Sequence, residues 1–187
     1  MKLGFAKKDI TPEMPVPMAG YMVNRLSKGV HDKLYVRSLY FEGGAFGPIV
    51  ILQLDLLCLD MLCLEKIYRG LAKNCSESLT KSKILVCTTH THSGFGGLVN
   101  TKDGINRELL PLFGENDPTL VDLLANRSVE AVLEAKENCT ETTVRVNHGK
   151  LDGLGTNRRR ADLPCDNSLF TVEFLRLDGK KILLYSL

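Results

Sequence analysis

Two histidines at alternate positions, His90 and His92, are the residues best suited to chemistry in this chain. They follow an apolar and β-branched run, residues 84–89, which predicts a strand buried on both faces. Ligands of open α/β sheets bind at the carboxyl ends of strands, where the loops face a shared crevice. If the backbone stays extended, both imidazoles project from the same side. Such a pair could bind a metal ion, or one could bind while the other moves protons; alternatively, both are polar loop residues.

The histidines supply only part of a catalytic metal site. A catalytic zinc ion normally has three protein ligands and one open position for water. The two remaining histidines are His31, in a polar loop, and His148, at a predicted strand end. Either could be an ordinary surface residue. The sequence therefore shows only part of a metal site, and the missing ligands could follow residue 187.

The elements around the histidines predict an α/β fold, with a mixed, largely buried β-sheet and flanking helices. The continuous apolar run 49–54 predicts a central strand, and Asp60 and Asp117-Pro118 are N-cap signals for two helices. A strand, a helix and a strand in succession predict a right-handed crossover between parallel strands. Strands are predicted at residues 2–7, 34–42, 48–56, 84–89, 141–149, 169–177 and 181–187, and helices at 60–73 and from 117 onward.

Three long segments are predicted to be loops, at residues 12–18, 94–116 and 149–167. In the first, three prolines within six residues exclude regular helix, and Gly20 then permits a tight backbone turn. Loops of such length in a compact domain are more often functional than idle.

The sequence ends inside the predicted apolar strand 181–187. A natural terminus is usually solvated and loosely ordered, so we expect residues 1–187 to be the N-terminal portion of a larger catalytic domain that continues past 187. The last strand would then present an unpaired edge, through which the chain could form a homo-oligomer.

Composition excludes several classes of function. The chain has 187 residues, 44% of them hydrophobic, and a net charge of +2 with both signs interspersed, which gives no reason to expect a nucleic-acid partner. No secretory signal or integral membrane segment is recognisable. The six cysteines lack CxxC spacing and look like small buried residues of a reducing compartment, so a cytoplasmic location is predicted.

Five motifs in a defined order resemble the N-terminal part of the catalytic domain of the neutral/alkaline non-lysosomal ceramidases. The resemblance covers essentially the whole chain, and its most specific part is the HTHSG motif. The motifs are Asp9-Ile10-Thr11-Pro12, Pro17-Met18-Ala19-Gly20-Tyr21, Leu54-Asp55-Leu56, Thr89-His90-Thr91-His92-Ser93-Gly94 and Asn157-Arg158-Arg159.

This resemblance implies a zinc-dependent amidohydrolase that cleaves the N-acyl amide bond of ceramide, or of a related small-molecule lipid amide, by attack of zinc-bound water. It implies that His90 is a zinc ligand, that His92 and Arg158 are catalytic, and that Gly20 lies in the loop lining the substrate site. The family's remaining ligands, a histidine, a glutamate and a tyrosine, come later in the chain. One departure is Phe95, where the family commonly has proline after HTHSG.

A second interpretation comes from a different class of function. The chain could be a non-enzymatic binding domain that keeps the ceramidase-like scaffold without a complete metal site. If residues 1–187 act alone, we expect them to be catalytically inactive, because one or two imidazoles cannot complete a catalytic zinc shell.

Overall fold

A computed structural model of the chain describes residues 1–13, 15–21, 25–44, 47–75, 79–100, 110–153, 155–179 and 181–186. The chain forms two compact units. We call Lys2–Cys139 the N-terminal unit, and Thr140–Leu187 together with Met1 the C-terminal unit.

The N-terminal unit contains a sheet in the order β4-β3-β2-β1. Strands β3 and β4 are parallel, whereas the β2–β3 and β1–β2 pairs are antiparallel, so the sheet is mixed as predicted. Strand β3 is central, with Val50, Leu52 and Leu54 fully buried on alternate positions. The strands are β1 (Lys2–Asp9), β2 (Tyr35–Glu42), β3 (Ile49–Leu54) and β4 (Ile84–Thr88).

The helices of this unit are α1 (Met61–Asn74), α2 (Leu110–Phe113) and α3 (Pro118–Glu137), with a 3-10 turn at Lys81–Lys83. Both predicted N-caps are confirmed: the Asp60 carboxylate accepts from the Cys63 backbone N–H, and that of Asp117 accepts from Thr119. Helix α3 packs against β1, β2 and α1, and buried side chains of both long helices belong to the core. Helix α1 connects β3 to β4, as the predicted crossover requires.

The prediction that the strand before the histidines is buried on both faces is wrong. Ile84 is buried, but the Leu85 side chain is 58% exposed and Val86 is half-buried. Among the described residues, β4 has one sheet neighbour, β3, and therefore lies at the edge of this sheet. An apolar run shows that a strand is hydrophobic, but it does not show how many neighbours will cover it.

The C-terminal unit is an antiparallel meander in the order β5-β6-β7. Its strands are β5 (Thr140–Lys150), β6 (Ser168–Arg176) and β7 (Lys181–Ser186). A turn at Asp178-Gly179 joins the last two, with Gly179 at a φ of +82°, so the predicted hairpin is confirmed.

Element types agree with the α/β prediction, and most boundaries agree within two residues. Within the predicted loop 94–116, the short helix α2 occupies Leu110–Phe113, while 101–109 and the predicted strand residue Leu187 lie outside the described residues. No helix among the described residues is both long and apolar enough to cross a membrane. The six cysteines are free, with Cys63 buried and Cys165 exposed.

Candidate active site

The backbone leaves the strand direction at His90. Strand β4 ends at Thr88, and His90 has a φ of 59°, the one positive value found among the described non-glycine residues. The extended path that would place both side chains on one side is therefore absent. The imidazoles nevertheless meet, with ring centroids of His90 and His92 5.4 Å apart and the planes at 74°.

A backbone carbonyl orients the His90 ring. His90 Nδ1 lies 3.2 Å from the carbonyl oxygen of Leu57, which also accepts from the Thr88 hydroxyl at 3.1 Å. Because a carbonyl oxygen can only accept, Nδ1 must carry the proton of the neutral ring, and Nε2 keeps its lone pair. This arrangement is the usual one for a metal-binding histidine, whose second nitrogen donates to a carbonyl or carboxylate.

A second carbonyl orients His92 in the same way. His92 Nδ1 lies 3.0 Å from the Gly20 carbonyl oxygen, so Nε2 is again the nitrogen with a free lone pair. The Tyr21 ring lies edge-on to the imidazole at 6.1 Å between centroids, and the Arg25 guanidinium lies over the Tyr21 ring at 4.8 Å. Both imidazoles are exposed.

Backbone hydrogen bonds attach residues 17–20 to the loop that carries His92. Ala19 N–H donates to the Gly94 carbonyl at 3.2 Å, and Gly96 N–H donates to the Pro17 carbonyl at 2.7 Å. Gly20 N–H donates to the Leu112 carbonyl at 2.8 Å. Residues 17–20 are therefore fixed next to the loop that carries His92.

The sequence of this chain matches a known protein family. A family model described as "Neutral/alkaline non-lysosomal ceramidase, N-terminal" matches residues 1–163, most of the chain. The chain belongs to this family. The family resemblance predicted from the motifs is thereby confirmed.

Relatives within the family are distant and longer. The chain is 25% identical over 158 residues to Neutral ceramidase 1 of Arabidopsis thaliana, covering 83% of this chain and 20% of that protein. It is 26% identical over 181 residues to Neutral ceramidase of Mycobacterium tuberculosis, covering 91% of this chain and 27% of that protein. The chain thus spans about a quarter of the length of these relatives.

A solved structure shares the fold. The crystal structure of neutral ceramidase from Pseudomonas aeruginosa superposes with a TM-score of 0.86 at 21% identity, over 99% of this chain and 31% of that one. At this level of identity, the similarity establishes a ceramidase-type fold.

The donor set of this ceramidase-family chain fits part of a zinc shell. Imidazole nitrogen is a preferred zinc ligand, and both Nε2 atoms are left without a protein hydrogen bond among the described residues. Within that same part of the chain, no group of three or more histidine, cysteine, aspartate or glutamate side chains could hold a metal ion. His90 and His92 therefore suit the zinc ion chemically but cannot enclose it.

Two other candidate residues, Arg158 and His148, belong to the C-terminal unit. Arg158 is an exposed residue of the loop between β5 and β6, in the C-terminal unit. The Asn157 side chain shapes this loop by accepting from Arg159 N–H at 3.0 Å and donating to the Pro164 carbonyl at 3.2 Å. His148 stacks on Phe170 in the same unit, with centroids 4.3 Å apart.

His31 is 96% exposed and pairs with Asp32, and this carboxylate raises the histidine's pKa above its ordinary value. The two residues line a cleft of about 520 Å³ in the N-terminal unit, together with Thr91, Ser93 and apolar side chains. Neither His90 nor His92 lines this cleft, so the cavity and the paired imidazoles are neighbouring but separate features. The imidazole pair indicates a functional site more specifically than the cleft does, because a backbone carbonyl holds one nitrogen of each ring.

The two carbonyls that hold the imidazole rings could not be predicted from the sequence. Leu57 and Gly20 act through backbone oxygens, which every residue possesses, so no residue type could have revealed them. The family resemblance places Gly20 in the site loop, but it does not predict the contact with His92.

Asp55, at the end of β3, accepts from Arg37 at 2.7 Å and from Tyr35 N–H at 3.0 Å.

Proposed function

We propose that this chain supplies the first part of a zinc-dependent amidohydrolase that cleaves the N-acyl amide bond of ceramide or a related lipid amide. The observation that carries the proposal is the imidazole pair of a ceramidase-family chain, with each Nδ1 held by a backbone carbonyl. Both Nε2 lone pairs then suit metal binding and proton transfer.

His90 is the proposed metal ligand, through Nε2. Its ring is held by Leu57, a residue only 4% exposed, so the direction of its lone pair is fixed by the packed interior. When bound, zinc supplies Lewis-acid chemistry, polarising an amide carbonyl and making water more acidic. The other ligands would come from outside the described residues of this chain.

His92 is the proposed proton-transfer residue. Its Nε2 can take a proton, and the Gly20 carbonyl accepts from Nδ1–H in both the neutral and the protonated ring. Arg158 is the proposed cationic contact for substrate oxygen atoms, since a guanidinium stays charged and offers several donors. Its exposed position leaves the guanidinium available to such a partner.

The test uses the full-length natural protein that carries these residues, assayed for release of fatty acid from ceramide. His92→Ala should keep its zinc while the rate falls by roughly 10²- to 10⁴-fold, the usual value of general acid–base help. His148→Ala is the matched control, because it also removes an imidazole, but one that stacks on Phe170 and has no proposed role; it should keep the wild-type rate. Loss of zinc from the His92 variant would instead make His92 a ligand, and an unchanged rate would refute its role.

The second candidate function is a non-enzymatic binding domain. In this case, the three-ligand metal cluster that the described residues lack would not be completed elsewhere in the protein. We expect the 187-residue chain alone to bind zinc weakly and to leave ceramide intact, whichever candidate is correct. A full-length protein that binds ceramide without cleaving it, at saturating zinc, would favour the binding domain.

A further inference from the structure

We infer that Gly20 is a positioning residue, which acts through His92 by fixing the tautomer and the direction of that imidazole. This inference deepens the proposed function, on which its catalytic meaning rests. Its structural content is separate: a carbonyl oxygen at position 20 holds the Nδ1–H form of a ring 72 positions further along the chain.

The contact requires glycine for two reasons. Gly20 has a φ of +94°, a backbone conformation that residues with a side chain adopt only under strain. A β-carbon at this position would also lie 2.3 Å from His92 Nδ1 and 2.7 Å from Cγ. The ring therefore packs into the space that the missing side chain leaves, and any substitution must displace either the ring or the backbone.

The carbonyl cannot easily follow a displaced ring. The backbone on its N-terminal side is tied by the bond from Ala19 N–H to Gly94, and Gly20 N–H is tied to Leu112. These hydrogen bonds hold the backbone of residue 20 next to the loop that carries His92. They therefore set the distance between the Gly20 carbonyl oxygen and the His92 ring. The Tyr21 ring is also nearly perpendicular to the same imidazole, with the ring planes at 87°.

A fixed tautomer has a direct chemical consequence. With Nδ1 donating to Gly20, the lone pair of the neutral ring is on Nε2, the nitrogen proposed to take the proton. A His92 ring released from Gly20 would populate both tautomers and several rotamers. The fraction of molecules with the Nδ1–H tautomer in the orientation needed for proton transfer would then be lower. Gly20 therefore serves the site without needing to touch substrate.

The test reads the tautomer itself by long-range ¹H–¹⁵N correlation of the histidine rings in the ¹⁵N-labelled 187-residue chain, at a pH where the rings are neutral. The wild type should show His92 as the Nδ1–H form, with a nuclear Overhauser contact between a Gly20 α-hydrogen and the ring. In Gly20→Ala, the ratio of Nδ1–H to Nε2–H should fall by roughly 2- to 12-fold, the value of one lost hydrogen bond.

Two glycines provide matched controls. Gly44 has a similar φ of +90°, but a β-carbon added there would meet no described atom within 4 Å, so Gly44→Ala reproduces the backbone strain without the contact. Gly29→Ala reproduces neither, since its surroundings are equally open and its φ is ordinary. Both variants should keep the wild-type His92 ratio. His90, held by Leu57, should keep its tautomer in all three variants and serves as the internal control.

The inference is overturned if wild-type His92 is the Nε2–H form, or if Gly20→Ala leaves the ratio unchanged. A parallel change at His90 would also overturn it, because that result indicates general disruption. If Gly20→Ala does not fold, the wild-type tautomer together with the Gly20–His92 contact decides the question. None of these measurements depends on hydrolysis. The His92 tautomer could therefore be as inferred even if the proposed function is wrong, and the proposed function could be correct even if the tautomer is not.

Discussion

Asp60 joins the start of helix α1 to the loop beyond the histidines. Its removal should lower the free energy of unfolding by more than the loss of an ordinary helix cap does. One carboxylate oxygen accepts from Cys63 N–H at 2.8 Å, and the other accepts from Asn100 N–H at 2.7 Å. Loss of an N-cap costs about 1 kcal/mol, and loss of a hydrogen bond to a charged group costs roughly 1.5–3 kcal/mol. Asp60→Ala should therefore lower the free energy of unfolding by roughly 2.5–4 kcal/mol.

Two variants separate these contributions. Asp117→Ala removes a cap whose carboxylate accepts from Thr119 N–H at 2.8 Å, and it should cost about 1 kcal/mol. Asp60→Asn should keep the cap, because asparagine caps as well as aspartate, but should place an amide donor in conflict with Asn100 N–H. It should therefore lose roughly 1.5–3 kcal/mol.

The measurement is urea unfolding with linear extrapolation, at unchanged slope, together with hydrogen exchange at the Asn100 amide. Exchange at Asn100 should accelerate in both Asp60 variants and stay at the wild-type rate in Asp117→Ala. Equal losses of stability in Asp60→Ala and Asp117→Ala, with Asn100 still protected, would refute the view that Asp60 fixes this loop.

Three further predictions test the metal, the charge network and the sheet edge. In the full-length protein, His90→Ala should abolish zinc retention measured by elemental analysis, whereas His148→Ala should retain it; equal zinc in both would refute the assignment. Burial raises the pKa of Asp9, but hydrogen bonds from Lys33 and Thr11 outweigh it and lower the pKa from 3.8 to about 2. The stability of the wild type relative to Asp9→Asn should therefore be constant above pH 3.8 and decline as the pH falls toward 2; a flat difference across that range would contradict it. Strand β7 has one described neighbour, so light scattering should show concentration-dependent association, and a monomer at every concentration would exclude it.

Much of the fold could be predicted because its signals are local. The caps at Asp60 and Asp117 depend on a side chain bonding a backbone group two or three residues away, and strand periodicity is equally short in range. Burial of β4 could not be predicted in this way. It depends on the number of neighbouring strands, and Leu85 is 58% exposed because β4 is an edge strand among the described residues.

At the candidate site, the residue types could be read from the sequence, but the positions of the side chains could not. Alternation of His90 and His92 indicates the chemistry, but an extended backbone is not what brings the two rings together. The rings meet because His90 adopts a φ of 59° and because carbonyls 33 and 72 positions away, at Leu57 and Gly20, hold them. Such partners are set by tertiary packing, and a carbonyl carries no mark of its role in the sequence.

Phe95 shows why a departure from the family motif can leave the site loop in place. Residue 95 forms an antiparallel bridge with Met18, but the bonds across it are donated by Ala19 and Gly96. The amide of residue 95 is not needed for this bridge, so a proline there would lose none of these bonds. Phenylalanine instead adds a side chain that is 2% exposed and belongs to the core, a burial worth roughly 1.5–3 kcal/mol. The backbone bonds from residues 17–20, rather than the residue type at 95, therefore hold the loop that presents His92.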